Sequence, residues 1–259
     1  MRTLALALLA IIMFVPNVHG QAIYAGRSNG NGTGSMWSEI GTISPVETGN
    51  VIFATGASQG FDYRNIGPFI FTPYVAAQSS LDSYGYDWNN TIAASGGVKT
   101  SVRLKHGVLS ANAAYGVEDR FKSGKFAAGP QFYVEDWFGW QIPAKYNRYP
   151  GSTWTTFGYT SPIEHGNLIV YGHIQQGVVV ARLGKAKRSI VMFGEGTLVR
   201  DTQHHDWDNL LRVGPGVQVT IGHGFSIGTS YLDEHRSISG IHAGGVSAFV
   251  KLDTQWGKE

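Results

Sequence analysis

The sequence contains no cysteine, which excludes disulfides, thiolate-held metals, a thiol nucleophile and a lipoprotein anchor. Charge is sparse. Charged residues make up 15% of the chain and the formal net charge is +2, too small a positive balance for nucleic-acid binding. Beyond the N-terminus no apolar run approaches the roughly 18 residues of a spanning helix. No helical heptads, no repeat of about 20–50 residues and no block of like charge stands out, which excludes a solenoid or a separate charged linker. A phosphate-binding loop is excluded too. Gly214 and Gly216 lie inside a strand-like stretch, no lysine follows Gly30, Gly32 and Gly34, and Phe126 and Ala186 follow the two Gly-Lys steps Gly124-Lys125 and Gly184-Lys185.

What the chain has in quantity is glycine, 35 residues, and aromatics, 12%. Small residues suit closely packed, curved strands, and aromatics suit membrane-interface girdles. Residues 1–20 read as a secretory signal. Arg2 forms the positive region, Leu4 to Val15 the apolar region, and Val18-His19-Gly20 the small residues before cleavage. Residues 21–259 then form one all-β domain.

The stretch Leu210 to Ile221 shows the period most clearly. Leu211, Val213, Pro215, Val217, Val219 and Ile221 alternate with Arg212, Gly214, Gly216, Gln218 and Thr220. Period two gives one apolar face and one polar or small face, over about the length a tilted strand needs to cross a bilayer. Thr91–Leu104 and Gly107–Glu118 alternate in the same way across a two-residue link, which predicts a hairpin. Further candidates are Ala22–Ser28, Ser35–Ser44, Asn50–Ala57, Gly67–Gln78, Ala127–Trp140, Trp154–Ser161, Leu168–Arg182, Arg188–Arg200, Phe225–Leu232 and Ala243–Trp256. Asp136 falls on an apolar face and fits only a position near a strand end.

Connections alternate in length through the C-terminal half. Lys105–Gly107, Leu183–Lys187 and Gly222–Gly224 are tight; Asp119–Phe126, Asp201–Asn209 and Glu234–His242 are longer and polar. Tight turns on one side and longer loops on the other predict an all-β, transmembrane antiparallel β-barrel of about 12 strands, with 10 or 14 as the neighbouring counts. Ala22–Ser28 then becomes a periplasmic leader or a lumen-side segment, and Lys105, Lys185, Lys187 and Arg188 are periplasmic turn charge. A secreted β-sandwich or lipocalin-like barrel competes. Against it stand the glycines, the aromatics and the charges recurring on inward faces.

Lys99, Arg103, Glu118, Glu135, Arg182, Glu195 and Arg212 are the expected lumen-lining residues. Mixed signs point to a salt-bridged plug or a narrow polar passage rather than an ion-selective pore. His204 and His205, flanked by Asp201, Asp206 and Asp208, have ligand chemistry. Adjacent residues diverge, however, and no second ligand cluster is visible, so the segment reads as a solvated loop with no metal or cofactor. Asp233, His235 and Ser237 are the catalytic candidates. His235 with Ser237 resembles the pair of outer-membrane lipid A deacylases, and Asp233 with His235 the pair of omptin-type proteases.

Several stretches resemble the C-terminal domain of bacteriophage adsorption protein A. They are Gly116-Val-Glu-Asp-Arg-Phe-Lys-Ser-Gly124, Asp136-Trp137, Arg182-Leu-Gly184, and Asp206 through Val217. The resemblance implies an outer-membrane barrel in an exopolysaccharide-export context, with no catalytic residue. The sequence reading is therefore an outer-membrane barrel acting in transport or surface assembly of exopolysaccharide. Its expected surroundings are membrane lipid, lipopolysaccharide, the barrel-assembly machinery and polysaccharide or secretion partners. A hydrolase using His235 and a structural or adhesive barrel are the other two readings.

Overall fold

The computed structural model describes residues 32–42, 44–142, 149–184, 188–222 and 224–256. The expected signal peptide, the Ala22–Ser28 leader, Lys185 and Lys187 lie outside them. The described residues form thirteen strands: β1 (Gly32–Thr42), β2 (Val51–Phe61), β3 (Arg64–Ile66), β4 (Phe69–Asp82), β5 (Thr91–Leu104), β6 (Gly107–Arg120), β7 (Lys125–Ile142), β8 (Tyr149–Tyr159), β9 (Ile169–Leu183), β10 (Arg188–Asp201), β11 (Leu210–Gly222), β12 (Phe225–Arg236) and β13 (His242–Trp256). Each strand pairs antiparallel with its chain neighbour, β1 closes on β13, and β2 pairs with β4 past the short β3. The result is a closed barrel of twelve strands, with β3 as a three-residue extension paired only to β4.

Closure pairs each of the twelve barrel strands on both sides, and alternation does the rest. On β11 the outward residues are Leu211, Val213, Val217 and Ile221, all exposed, while Arg212 pairs inward beside Thr197 and Glu234. Outward Ile227, Tyr231, Phe132 and Val246 are exposed in the same way, Val246 by 72%. Pro215 lacks a donor, and the β11–β12 ladder passes over it between Val213 and Gly216. Exposed aromatics lie at both ends: Phe61, Tyr63 and Phe69 at the end holding the tight turns, Tyr84, Phe121 and Phe126 at the loop end. Asp136 faces outward opposite Leu109, just above the tight turn after β5, so its carboxylate sits at a rim.

The loops are shorter than the polarity of the sequence suggests. β12 runs on through Glu234 and Arg236, β6 through Arg120, and β4 through Asp82. These strand ends are polar because their inward side chains bond one another rather than water.

The barrel is built from two copies of a six-strand unit. Gly34, Ser35, Trp37, Gly41, Ser44, Pro45, Glu47, Gly49 and Asn50 recur in identical order and spacing as Gly151, Ser152, Trp154, Gly158, Ser161, Pro162, Glu164, Gly166 and Asn167. Asp82, Asp87, Trp88 and Asn90 recur as Asp201, Asp206, Trp207 and Asn209; Glu118, Arg120, Ser123 and Gly124 recur as Glu234, Arg236, Ser239 and Gly240. Half a chain separates the copies, far beyond the window in which solenoid repeats are sought. β1 thus corresponds to β8, β2 to β9, and β4 through β7 to β10 through β13.

Candidate functional site: two polar networks and an aromatic bridge

The duplicated residues converge at the loop end, where each copy builds half of two networks. In the first, Arg236 Nε donates to Glu234 Oε1 at 2.8 Å and its Nη2 to Glu47 Oε1 at 2.7 Å. Ser44 Oγ donates to Glu234 Oε2 at 2.8 Å. Asn50 Nδ2 bridges Glu47 Oε2 at 3.0 Å and Asp82 Oδ2 at 3.2 Å, and Asn90 Nδ2 holds Asp82 Oδ1 at 2.7 Å. The second network repeats this bond for bond. Arg120 joins Glu118 and Glu164, Ser161 joins Glu118, Asn167 bridges Glu164 and Asp201, and Asn209 holds Asp201. Glu234, Asn50 and Asn167 are the largest side chains with essentially no exposure. Buried polar groups of this kind are tolerated only when fully paired, and these are.

The first network crosses the seam at which β13 closes on β1. Its Glu234 and Arg236 come from β12, and its Ser44 and Glu47 from the loop after β1. The second fastens β6 to the loop after β8 in mid-chain. Glu118 and Arg212, expected inside the barrel, are members of these networks; Arg212 Nε donates to Glu234 Oε2 at 2.9 Å.

The loops after β4 and β10 hang from opposite walls and meet. Asp87–Asn89 and Asp206–Asp208 each form one 3-10 turn. Trp88 stacks on Trp207 with centroids 4.1 Å apart and planes 2° from parallel. Tyr86 stacks on Trp88 at 4.7 Å and His205 on Trp207 at 4.8 Å. Four parallel rings therefore bridge the loop-side mouth. Asp87 and Asp206 brace the bridge by accepting the Ser123 and Ser239 amides, each at 2.9 Å. The histidine-bearing loop reads as solvated from sequence; the structure folds both loops inward, because indoles gain more by stacking than by exposure.

Deeper in the barrel, Lys99, Arg103, Glu135, Arg182 and Glu195 share the inward face by register. Arg103 lies 3.9 Å from Asp62, and Asn112 donates to Glu135 at 3.3 Å. Glu39 and Lys251 pair at 3.4 Å. Tyr74 of β4 and Tyr133 of β7 touch hydroxyl to hydroxyl at 3.2 Å across two intervening strands, and Phe193 and Phe249 occupy the corresponding places on β10 and β13 at 6.3 Å.

The three catalytic candidates are not brought together. Asp233 pairs with His242 at 2.6 Å, His235 makes an edge contact with the His242 ring, and Ser237 bonds Arg200 and the Asn209 carbonyl. Asp233 and His235 sit on the outward face of β12, where alternation separates them from inward Glu234 and Arg236. Among the described residues no hydrogen bond links His235 to either partner.

The histidine-rich loop differs from its solvated reading. His205 Nδ1 lies 2.7 Å from Asp201 Oδ2. Asp208 is pushed up to about 7 by burial and then by the negative charges of Glu164 and Asp201. Glu164 comes from a different loop, which is why no second ligand could be seen next to the histidines. The signal that would have located it is the repeated Ser-Pro-x-Glu-x-Gly-Asn segment.

No family model matches this chain, and no curated protein matches it either, so the resemblance to the phage adsorption domain has no support there. Among solved structures the chain is similar to an outer membrane channel from Pseudomonas putida F1, at 8% identity and TM-score 0.46, covering 93% of this chain and 100% of that one. It is similar to the beta domain of the Bordetella autotransporter Brka at 12% identity and TM-score 0.38, covering 87% and 98%. A bacterial polysaccharide outer membrane secretin gives 10% identity and TM-score 0.40, covering 88% and 98%. These are likenesses of barrel to barrel and carry nothing about activity.

Proposed function

We propose that this chain is an outer-membrane barrel acting as an accessory to extracellular polysaccharide transport, with an interior passage held shut at its outer mouth. The apolar outer face and the aromatics at both ends suit a bilayer, and the tight turns belong on the periplasmic side. The observation that carries the gate is the ring stack of Tyr86, Trp88, Trp207 and His205 joining opposite walls. Behind it the register turns Trp37, Trp154, Tyr171 and Gln175 inward together with the mixed charges. Sugar rings offer apolar faces and hydroxyl edges, which suits side chains with an apolar body and a polar tip. Mixed charge argues against selection of ions by sign.

Planar-bilayer recording tests the gate. The native chain should show little conductance, and Trp88→Ala with Trp207→Ala should raise it at least tenfold while the heat-modifiable gel shift of a folded barrel persists. A folded double variant that stays silent, or a native chain that conducts freely, would sink the gate. Slowing of ion flow through the opened variant by a neutral glucan would support the polysaccharide passage; indifference to glucans would count against it.

A further inference from the structure

The two networks are copies, yet they depart from each other at a few positions, and the departures converge on one spot. Where the first copy has Tyr86, the second has His205; where the first has Asn89, the second has Asp208. Asn89 donates to Asp82 Oδ2 at 3.1 Å. An ionised Asp208 cannot donate in this way, and among the described residues its carboxylate has no hydrogen-bond partner. The charge balance changes as well. Arg212 lies opposite Glu234 on the neighbouring strand, whereas Ala93 lies opposite Glu118. The first network thus sets Glu47, Glu234, Asp82 and Asp206 against Arg212 and Arg236. The second sets Glu118, Glu164, Asp201 and Asp208 against Arg120 alone.

A ring nitrogen of His205 and carboxylate oxygens of Glu164 and Asp208 all lie within 4.8 Å of one another. Among the described residues this is the one group of three such side chains. Asp201 holds the His205 ring through Nδ1, and since a carboxylate only accepts, that nitrogen carries the hydrogen, which leaves Nε2 as the nitrogen that would ligate in the neutral imidazole. Metal-binding histidines are commonly oriented by a carboxylate in this way. Glu164 is positioned by Arg120 and Asn167, each carboxylate oxygen retaining a further lone pair.

We propose that Glu164, His205 and Asp208 bind one divalent first-row transition cation, such as Zn2+, at the loop-side mouth of the barrel. One imidazole and two carboxylates suit such an ion, leaving a position for water or a ligand oxygen. A bound cation would offset the greater excess of carboxylates over guanidiniums in the second network. Through His205 the ion would clamp one end of the ring stack, and Glu164 would tie that end to the loop after β8. The first copy, with Tyr86 and Asn89 beside Glu47, lacks the ligand set and serves as an internal control.

The test is calorimetric titration of ZnCl2 into the full barrel in detergent, stripped with a chelator and then freed of it. One equivalent should bind with a dissociation constant in the micromolar range or tighter. The double variant His205→Tyr with Asp208→Asn installs the pair the first copy already accommodates, so its gel shift should be preserved while affinity falls at least a hundredfold. Should that variant fail to fold, Asp208→Asn alone, nearly identical in shape, should weaken binding at least tenfold. Absence of binding by the native chain, or native affinity in either folded variant, overturns the proposal.

Discussion

The two networks share a covalent plan and differ in what surrounds it. Around Glu234 the plan is closed by two guanidiniums; around Glu118 it is closed by one, with Ala93 in place of the second. The better-neutralised copy stands at the seam where the last strand meets the first. There the barrel gains closure only after the whole chain is in place, and a rigid polar lock fixes the register of strands far apart in sequence. The other copy sits in mid-chain, where the short turns on either side already hold the strands together. Duplication therefore supplied one lock twice. Only the copy under less structural demand carries an acid where the other has an asparagine.

Removing one carboxylate charge from each copy should break this comparison most visibly. Glu234→Gln leaves Arg212 and Arg236 without their shared anion in a site with 0% exposure. Breaking a buried pair in this way costs about 3–5 kcal/mol. Glu118→Gln leaves only Arg120 short of a partner, and Glu164 still holds it, so roughly 1.5–3 kcal/mol is expected from weakened charge-assisted bonds. Urea unfolding in detergent, followed by tryptophan fluorescence, would rank the two. Equal midpoints, or a larger loss in Glu118→Gln, would show that the seam carries no special load.

The barrel was legible because alternation runs through most of each strand, broken only locally, as at the bulge that skips Val180. Leu211 through Ile221 announce one apolar face, and a one-residue slip would invert every side chain on the strand. The loop-end chemistry was not legible, because its partners are brought together by closure rather than by neighbourhood. Arg236 meets Glu47 across nearly the whole chain, and Arg120 meets Glu164 from another hairpin. Arg120, Glu234 and Arg236 read as loop residues because polarity at a strand end looks the same whether it meets water or a buried partner. The phage-adsorption resemblance rested on Gly116 to Gly124, Asp136-Trp137, Arg182 to Gly184 and Asp206 to Val217, and the first and last of these stretches contain network residues.

A second way to sharpen the comparison lies deeper, where Tyr74 and Tyr133 face the places held by Phe193 and Phe249 in the other copy. Tyr74→Phe alone leaves the Tyr133 hydroxyl without its partner and should cost about 1–2 kcal/mol. Adding Tyr133→Phe removes the stranded hydroxyl and recreates the phenylalanine pair of the other half, so the double variant should return close to native stability. The same unfolding measurement reads this as a positive coupling between the two sites. Simple addition of two losses would mean that the hydroxyls bind other groups instead of each other.

The smallest effect expected concerns His204, the residue that matches Gly85. Both adopt left-handed backbone, with φ of 59° and 75°. Glycine takes this region freely, whereas a side chain there costs about 1–2 kcal/mol through contact between Cβ and the carbonyl. His204→Gly should remove that strain but lose roughly 0.5–1 kcal/mol to the greater freedom of glycine in the unfolded chain. A net gain of about 0.5 kcal/mol is therefore expected. The reciprocal Gly85→Ala should lose stability by a similar margin, since its new Cβ meets only the movable end of Lys122, at 3.0 Å, and the backbone angle dominates. A destabilised His204→Gly would show that the imidazole makes an interaction worth more than its strain. Zinc titration of that variant would then reveal whether the interaction is with the cation, since a second histidine ligand would change the affinity, and a purely local contact would leave it unchanged.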